Sequence, residues 1–510
     1  MAVRNCSECP PSLSRREFLK FGSATAAGIG ISSPFGEPSH PVHAEQSDPP
    51  RREEGRPNVV IFIVDQLRAD IAGCYGNSFT STPTLDQLAR RGVKFTRAYC
   101  GFPQCSPARA ALMTGIYPNR TGIGIQSDYR MFGDRTLERL DKALPSIGTI
   151  FKAAGYQTGY VGKWHLSPQE PPGDIADYGI DFFSPLPEFR SKQYPFKFAK
   201  QYNRNAAIAG LCEPNPLWSG KMSKEASAFI DRCCQKGAPF LLFYSDYRPH
   251  PPYFLPSQDF EKYAPNKVEL WPNLHDTLKG KPMTHRRLRQ IIREGVEPSD
   301  AFWSGVIQHY AATVSATDHQ IGLVYEALER NNLVENTIVV FVSDHGDTCG
   351  AHGFWSKGVI AYEELIRIPM IISWPGHFQT DGMCDRLVSL MDILPTLADA
   401  TGTEFNRRQM DGQSLVPFLQ GQAPRDWRQH VLIMHHGNMY GLCTMRAVVG
   451  MRYKYVHYPY DTGELYDRST DPWEMRNLID DPGHKQESLA FTERLKELME
   501  EASDTKVKIV

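Results

Sequence analysis

The residues whose types and spacing promise chemistry begin at Cys105, Ser106, Pro107, Ala108 and Arg109, continued by Ala110, Ala111, Leu112, Met113, Thr114 and Gly115. A sulfur nucleophile here stands at the start of a helix, beside a fixed cation. Ser106 is expected to cap that helix, and Pro107 suits its first turn because the missing N–H leaves nothing unsatisfied there. Ala108, Ala110, Ala111, Leu112 and Met113 propagate it, and Gly115 ends it. Position 105 then lies at the positive end of the helix dipole, where free N–H groups favour sulfate or phosphate. Arg109, about one turn further on, reaches back to the same place. Taken alone, these residues also read as a buried cysteine ahead of an ordinary helix.

Other polar residues stand where open α/β sheets bind ligands, at the ends of apolar runs of strand length. The run 59–64 ends in Asp65 and Gln66, and the run 338–343 in Asp344, His345, Gly346 and Asp347. Asp65, Gln66 and Asp344 form the oxygen-rich set that a hard divalent cation prefers. The His345 imidazole is softer, which leaves manganese open beside calcium. Asp347 reads equally as a loop residue, and any one Asp at a strand end is ordinarily a turn or a cap. It is the coincidence of both strand ends with the cysteine motif that points to a metal site. In Gly162-Lys163-Trp164-His165-Leu166 the lysine and the histidine face one side of an extended segment. His250 lies between prolines in Arg248-Pro249-His250-Pro251-Pro252, and Lys357 closes the stretch His352-Gly353-Phe354-Trp355-Ser356-Lys357. His319, the pair His435 and His436, and the basic run 285–289 read as capping, core or solvated-face residues. The basic run is the best placed of these to meet a polyanion.

The elements that must hold these groups follow from apolar periodicity. Continuous apolar runs at 59–64, 240–244, 337–342 and 369–374 are strands buried on both faces, and helical patterns at 84–91, 144–154, 221–236, 300–330 and 392–400 separate them. This alternation predicts an α/β sandwich with a large central sheet flanked by helices. Near residue 424 the character changes to short alternating strands, at 447–449 and 453–458, and a terminal helix near 488–502 follows. That is the pattern of a small C-terminal α+β subdomain. The expected divisions are a signal over 1–44, a linker over 45–56, a catalytic domain over 57–424 and the subdomain over 425–510.

Residues 14–20 carry a twin-arginine motif, followed by the weakly apolar region 21–31 and a small-residue cleavage site at 42–44. The twin-arginine export machinery is therefore an expected partner, and the periplasm or exterior the expected location. No other run approaches the roughly twenty apolar residues that a membrane span needs. With 56 Lys and Arg against 58 Asp and Glu, the chain has no basic field, and nucleic acid is excluded as a partner. The cysteine spacing outside the signal forms no metal knuckle and specifies no disulfide.

The spacing C-x-P-x-R with its A-x-L-x-T-G continuation, together with the Gly162–Leu166 segment, resembles the formylglycine-dependent (type I) sulfatases of the alkaline phosphatase superfamily. The segments Arg452-Tyr453-Lys454-Tyr455, Glu464-Leu465-Tyr466-Asp467 and 471–478 are similar to that family's C-terminal signature, so the resemblance covers most of the mature chain. It implies an alkaline-phosphatase-like sandwich. It also implies that a formylglycine-generating enzyme oxidises Cys105 to formylglycine, whose hydrate is the nucleophile that attacks sulfur; Ala108 replaces the serine more common in the motif. Export in the folded state would allow that conversion in the cytoplasm. The resemblance further implies Ca2+, with Mn2+ or Mg2+ as alternatives, at Asp65, Gln66, Asp344 and His345. Gln66 and His345 depart from the family's usual Asp-Asp and Asp-Asn pairs, as in some sulfatases and in phosphonate and phosphodiester hydrolases.

By the same resemblance Lys163 contacts formylglycine and sulfate, His165 the diol, His250 the leaving oxygen, and Lys357 the sulfate from the opposite side. Cys105, Arg109, Lys163, His165, His250 and Lys357 are thus the expected catalytic set, with Lys163, His250 and Lys357 also binding substrate. The implied activity is hydrolysis of a sulfate monoester, favouring a sulfated carbohydrate over an aryl or choline sulfate. A phosphonate monoester or phosphodiester hydrolase is the alternative within the fold. An inactive binder of sulfated glycans, the alternative outside catalysis, should have lost one of these six residues, and all are present. Specificity is expected from 183–220, from 254–298 and from the C-terminal subdomain.

Overall fold

A computed structural model describes residues 55–127, 138–169, 172–186, 220–253, 268–293, 298–437, 443–505, 507 and 509. The signal, nearly all of the linker, most of 183–220 and about half of 254–298 lie outside the described residues. What is described centres on a mixed sheet built from β1 (Asn58–Asp65), β2 (Gly92–Tyr99), β3 (Gln157–Gly162), β4 (Phe182–Pro185), β5 (Phe240–Pro249), β6 (Thr337–Ser343), β7 (Arg367–Ser373) and β8 (Gly382–Cys384). Their order is β4-β3-β5-β1-β6-β7-β2-β8, and the short β9 (Val388–Ser389) also pairs with β2. Strands β4, β3, β5, β1 and β6 are parallel, whereas β7 runs antiparallel to both β6 and β2.

The central strand β1 is buried along its whole length because both of its faces carry apolar side chains. Val60, Phe62 and Val64 enter one core, shared with α4 (Lys221–Lys236) and α6 (Asp300–Arg330) and with Leu85 and Leu88 of α1 (Pro83–Arg90). Val59, Ile61 and Ile63 enter the other, with α2 (Cys105–Thr114), α3 (Ile147–Ala153) and α7 (Ile393–Thr401). Helix α5 (Met283–Arg293) adds Leu288 and Ile292 to the first core. Covering both faces of a largely parallel sheet is what the continuous apolar runs require. The fold is thus the expected α/β sandwich.

A second sheet, β10 (His430–Gly437), β11 (Cys443–Gly450), β12 (Tyr453–His457) and β13 (Glu464–Asp467), is antiparallel throughout. Its two faces part by the two-residue strand period. Val431, Ile433, Ala447 and Val449 join the second core of the large sheet, while Leu432, Met434 and Val448 pack on Leu495 and Leu498 of α8 (Lys485–Glu501). No helix of the described residues is long and apolar enough to cross a membrane, and no disulfide joins the described cysteines.

Parallel strands bring their C-terminal ends to one edge of the sheet, and there lie Asp65, Lys163, His250 and Asp344. In register, Val64 pairs with Ser343 and Gly162 with Ser245. Gly162 makes the close approach that seats Lys163. Its φ is +109°, a Cβ there would lie 2.0 Å from the Ser245 carbonyl oxygen, and Lys163 N donates to that same oxygen at 2.9 Å. Gly162→Ala is therefore expected to cost about 2 kcal/mol or more from backbone strain and overlap, lowering the thermal midpoint by a few degrees. Thermal unfolding of the variant checks this, and an unchanged midpoint would contradict the packing.

Candidate active site

Helix α2 begins at Cys105 itself, with Gln104 in the capping position and in extended conformation. The expectation that Ser106 caps the helix is corrected here. Ser106 N donates to the side-chain oxygen of Gln126 at 2.9 Å, and Ser106 Oγ instead accepts from Ser127 N at 3.1 Å. The orphan N–H beside the cysteine is satisfied from twenty positions downstream. Gly115 ends the helix as expected, with φ +70° and its N–H on the Ala111 carbonyl. All ten residues of α2 are buried.

Around the Cys105 sulfur the structure gathers groups from four separate segments. Lys357 Nζ is 3.0 Å from it, while Asp65 Oδ1 and His345 Nε2 are each 3.3 Å away. Lys163 donates to Asp65 Oδ2. Arg109 Nε donates to Asp344 Oδ2 at 2.8 Å, and Arg109 Nη1 to Ser245 Oγ at 2.7 Å and to the Lys163 carbonyl at 3.1 Å. The remaining terminal nitrogen of Arg109, Nη2, stands 3.5 Å from Asp65 Oδ2 and has no hydrogen bond among the described residues. Gln66 and Asp344 are locked together, since Asp344 Oδ1 accepts from Gln66 N at 3.0 Å and from His345 N at 2.9 Å. The Gln66 amide accepts from Lys357 at 2.9 Å and donates to Asp347 at 2.5 Å.

The electrostatics follow from this crowding. Burial opposes ionisation of Cys105, but Lys163, Lys357 and His345 together hold its thiol well below the usual range. Asp65 is held low although burial and the sulfur oppose it, because Lys163, His250 and Arg109 face it. Asp344 is pushed up by burial and by Asp65, against the pull of Arg109.

His250 is held down to about 3, by burial first and by Lys357 second, and its Nδ1 meets the Pro251 carbonyl. A carbonyl only accepts, so the neutral ring carries its proton on Nδ1 and presents Nε2 as a lone pair. His165, with φ +55°, is half-buried and bears on the Cys105 thiol as a hydrogen-bond partner.

Every residue of the expected site falls on this one edge of the sheet. Asp347, left open as a loop residue, belongs to it through Gln66, and its Oδ1 fastens the loop before Lys357 by accepting from Ser356 N at 3.0 Å. Ser245 and Gln126 went unforeseen. Ser245 directly follows a recognisable strand run, which was the available signal, whereas nothing local marks Gln126. His285 of the basic run is a core residue between the Tyr362 and Tyr458 hydroxyls, at 3.0 and 2.9 Å, and His319 is exposed.

Asp65, Cys105, Asp344 and His345 each offer a ligand atom, all buried and within 4.8 Å of one another. Two carboxylates with no solvent call for positive charge, and the Lys163 and Lys357 ammonium groups stand against Asp65 and Gln66 to supply it. A divalent cation fits this donor set, with oxygens from Asp65, Gln66 and Asp344 and nitrogen from His345.

Comparison with known proteins agrees with this chemistry. The family model described as Sulfatase matches residues 57–403, and one described as N-sulphoglucosamine sulphohydrolase, C-terminal, matches 350–501. An uncharacterized sulfatase of Escherichia coli (strain K12) is 33% identical over 439 residues, covering 84% of each chain. A Delta 4,5-hexuronate-2-O-sulfatase of Bacteroides thetaiotaomicron is 29% identical over 446 residues, covering 84% of this chain and 85% of that one. Among solved structures, the phosphonate monoester hydrolase of Agrobacterium radiobacter superposes with a TM-score of 0.69 at 23% identity, over 88% of this chain and 96% of that one. That likeness carries the fold alone, which serves more than one reaction. Since the first family model spans well over half of its length and a sulfatase relative is 33% identical over 84% of it, the chain belongs to the sulfatase family of the alkaline phosphatase superfamily.

Proposed function

We propose that this sulfatase hydrolyses a sulfate monoester of a carbohydrate, with residue 105 as nucleophile after conversion to formylglycine, at a divalent cation held by Asp65, Gln66, Asp344 and His345. Calcium is favoured because three of those four ligands are oxygens. The observation that carries the reading is the sulfur of Cys105 at a buried helix N-terminus, under Lys357 and beside the guanidinium of Arg109, whose Nη2 is unused by hydrogen bonds among the described residues. A buried cation with a spare donor is an anion anchor. The carbohydrate is supported by the hexuronate sulfatase among the relatives. The twin-arginine motif supports export after folding, so that a cytoplasmic formylglycine-generating enzyme reaches the chain first.

Formylglycine and the cation, when present, supply a hydrated aldehyde and a Lewis acid. The chain's own residues do the rest. Arg109, Lys163 and Lys357 converge on the place where negative charge grows on the transferring group, and in a dry site such donors act strongly. His345 Nδ1 meets the Gly346 carbonyl at 2.8 Å, which leaves Nε2, 3.3 Å from the side-chain atom of residue 105, as the nitrogen that would hold the cation beside the nucleophile. His250 faces the cluster from β5, and its lone pair on Nε2 means that it must take up a proton before it can give one to a leaving oxygen. A phosphonate monoester reading is favoured only by the Gln66 and His345 pair. Relative rates on aryl sulfate and aryl phosphonate esters separate the two.

Release of inorganic sulfate from defined monosulfated sugars tests the proposal. Wild type is expected to release it, and Cys105→Ala to lose at least about a thousandfold in kcat/KM while keeping its fold, since alanine suits the helix. Full activity in that variant would refute the assignment of residue 105. Elemental analysis is expected to find one divalent ion per chain and less in Asp344→Asn, with chelation abolishing turnover and calcium restoring it. Full turnover by protein stripped of metal would contradict the cation site.

A further inference from the structure

Strand β10 breaks its own pattern at the end that meets the 101–104 segment leading into α2. Val431 and Ile433 enter the core of the large sheet, as do their cross-strand partners Val449 and Ala447. By the strand period, position 435 belongs to that face, and its partner Met445 is buried in the same core. The residue there is a histidine. Its ring is fully buried and stacked on Phe102, 5.2 Å between centroids, and neither ring nitrogen has a hydrogen-bond partner among the described residues. Gln104, immediately before Cys105, is also fully buried, and neither its amide oxygen nor its amide nitrogen has a partner among the described residues.

These two side chains are tied to one place by the 101–104 segment. The Gly101 carbonyl accepts from Met434 N at 2.9 Å, Phe102 lies against His435, and two residues later comes Gln104. His345, 3.3 Å from the Cys105 sulfur, is close enough to His435 to act on its charge. Their burial equals that of Cys105, so burial does not set them apart from the reacting centre.

Hydrogen-bonding capacity left unused in a buried site is costly, and a ligand that uses it relieves that cost. Four such atoms, two on the residue that precedes the reacting one and two on a ring packed against the same 101–104 segment, make a recognition surface. We propose that Gln104 and His435 form the subsite that binds the alcohol part of the ester through hydroxyl groups next to the sulfated position. The inference rests on the sulfatase reading above. Both groups are neutral: burial, followed by the charges of His436 and Arg446, holds His435 down to about 3. A neutral amide and a neutral imidazole pair with neutral hydroxyls, whereas a second sulfate or a carboxylate calls for Arg or Lys. A quaternary ammonium or a bare aryl ring would leave both unpaired. The alcohol is thus a polyol, a sugar bearing free hydroxyls beside its sulfate.

The test uses the full chain and its variants Gln104→Leu and His435→Leu. For each, kcat/KM is measured on a monosulfated monosaccharide and on nitrophenyl sulfate, which offers no hydroxyl beyond the ester. The ratio of sugar to aryl kcat/KM is expected to fall at least tenfold in each variant, because a site built to bond hydroxyls discriminates strongly when that bond is lost. The thermal midpoints should not fall, since the free protein loses no hydrogen bond. A smaller change in the ratio overturns the subsite, and so does a midpoint lowered by more than a few degrees, which would mark a structural role. If wild type cleaves the aryl ester alone, the sulfatase reading stands and the polyol subsite fails. If it releases sulfate from neither, the sulfatase reading itself fails.

Discussion

Asp65 and Asp344 bring two carboxylates to the same edge of the sheet with no solvent on either, and a buried charge left without a partner costs several kcal/mol. The remaining contacts of the site answer that cost. Arg109 bonds Asp344 and leans on Asp65, Lys163 bonds Asp65, and the backbone N–H groups of Gln66 and His345 both point at Asp344. Because Arg109 belongs to α2, satisfying the carboxylates also fixes where the helix begins, and hence where residue 105 stands. The positions of residue 105, of the Arg109 guanidinium and of the buried carboxylates are therefore one problem with one solution. A divalent cation would take over part of the neutralisation now carried by the lysines, freeing their ammonium groups for an anionic substrate.

The same logic relates the two sheets. The large sheet supplies charged residues at its parallel strand ends, whose chemistry suits a sulfate group of any origin. The antiparallel sheet shares a core with it and brings His435 against Phe102, in the segment that leads into α2, where the alcohol would lie. In the proposed complex, charge for the transferring group and neutral hydrogen bonding for the group it leaves would come from different parts of the fold.

Much of this was legible in the sequence, for identifiable reasons. Strands such as β1 and β6 announce themselves because both faces are covered, which makes their apolar runs continuous, and in a parallel arrangement the polar residue ending each run must land at the ligand-binding edge. Cys105 and Arg109 were readable together because one helical turn joins them. What escaped was tertiary. The partner of Ser106 N is Gln126, and no local pattern announces a cap that arrives from outside the helix. Strand β10 is covered on both faces, but its continuous apolar run, 431–434, is only four residues long, too short for periodicity to tell a strand from a buried turn of helix. In the sequence His435 reads as a capping, core or solvated-face residue, and only the packing reveals that its ring is buried and its nitrogens meet no partner among the described residues.

The proposed reaction requires residue 105 to be an aldehyde in the working protein. Mass spectrometry of the peptide carrying that residue, taken from a preparation whose sulfate-releasing activity has been measured, addresses this most directly. The cysteine is expected to have lost its sulfur and two hydrogens and gained one oxygen, and the converted fraction to track specific activity across preparations. Full activity in protein whose residue 105 is entirely unmodified thiol would contradict it.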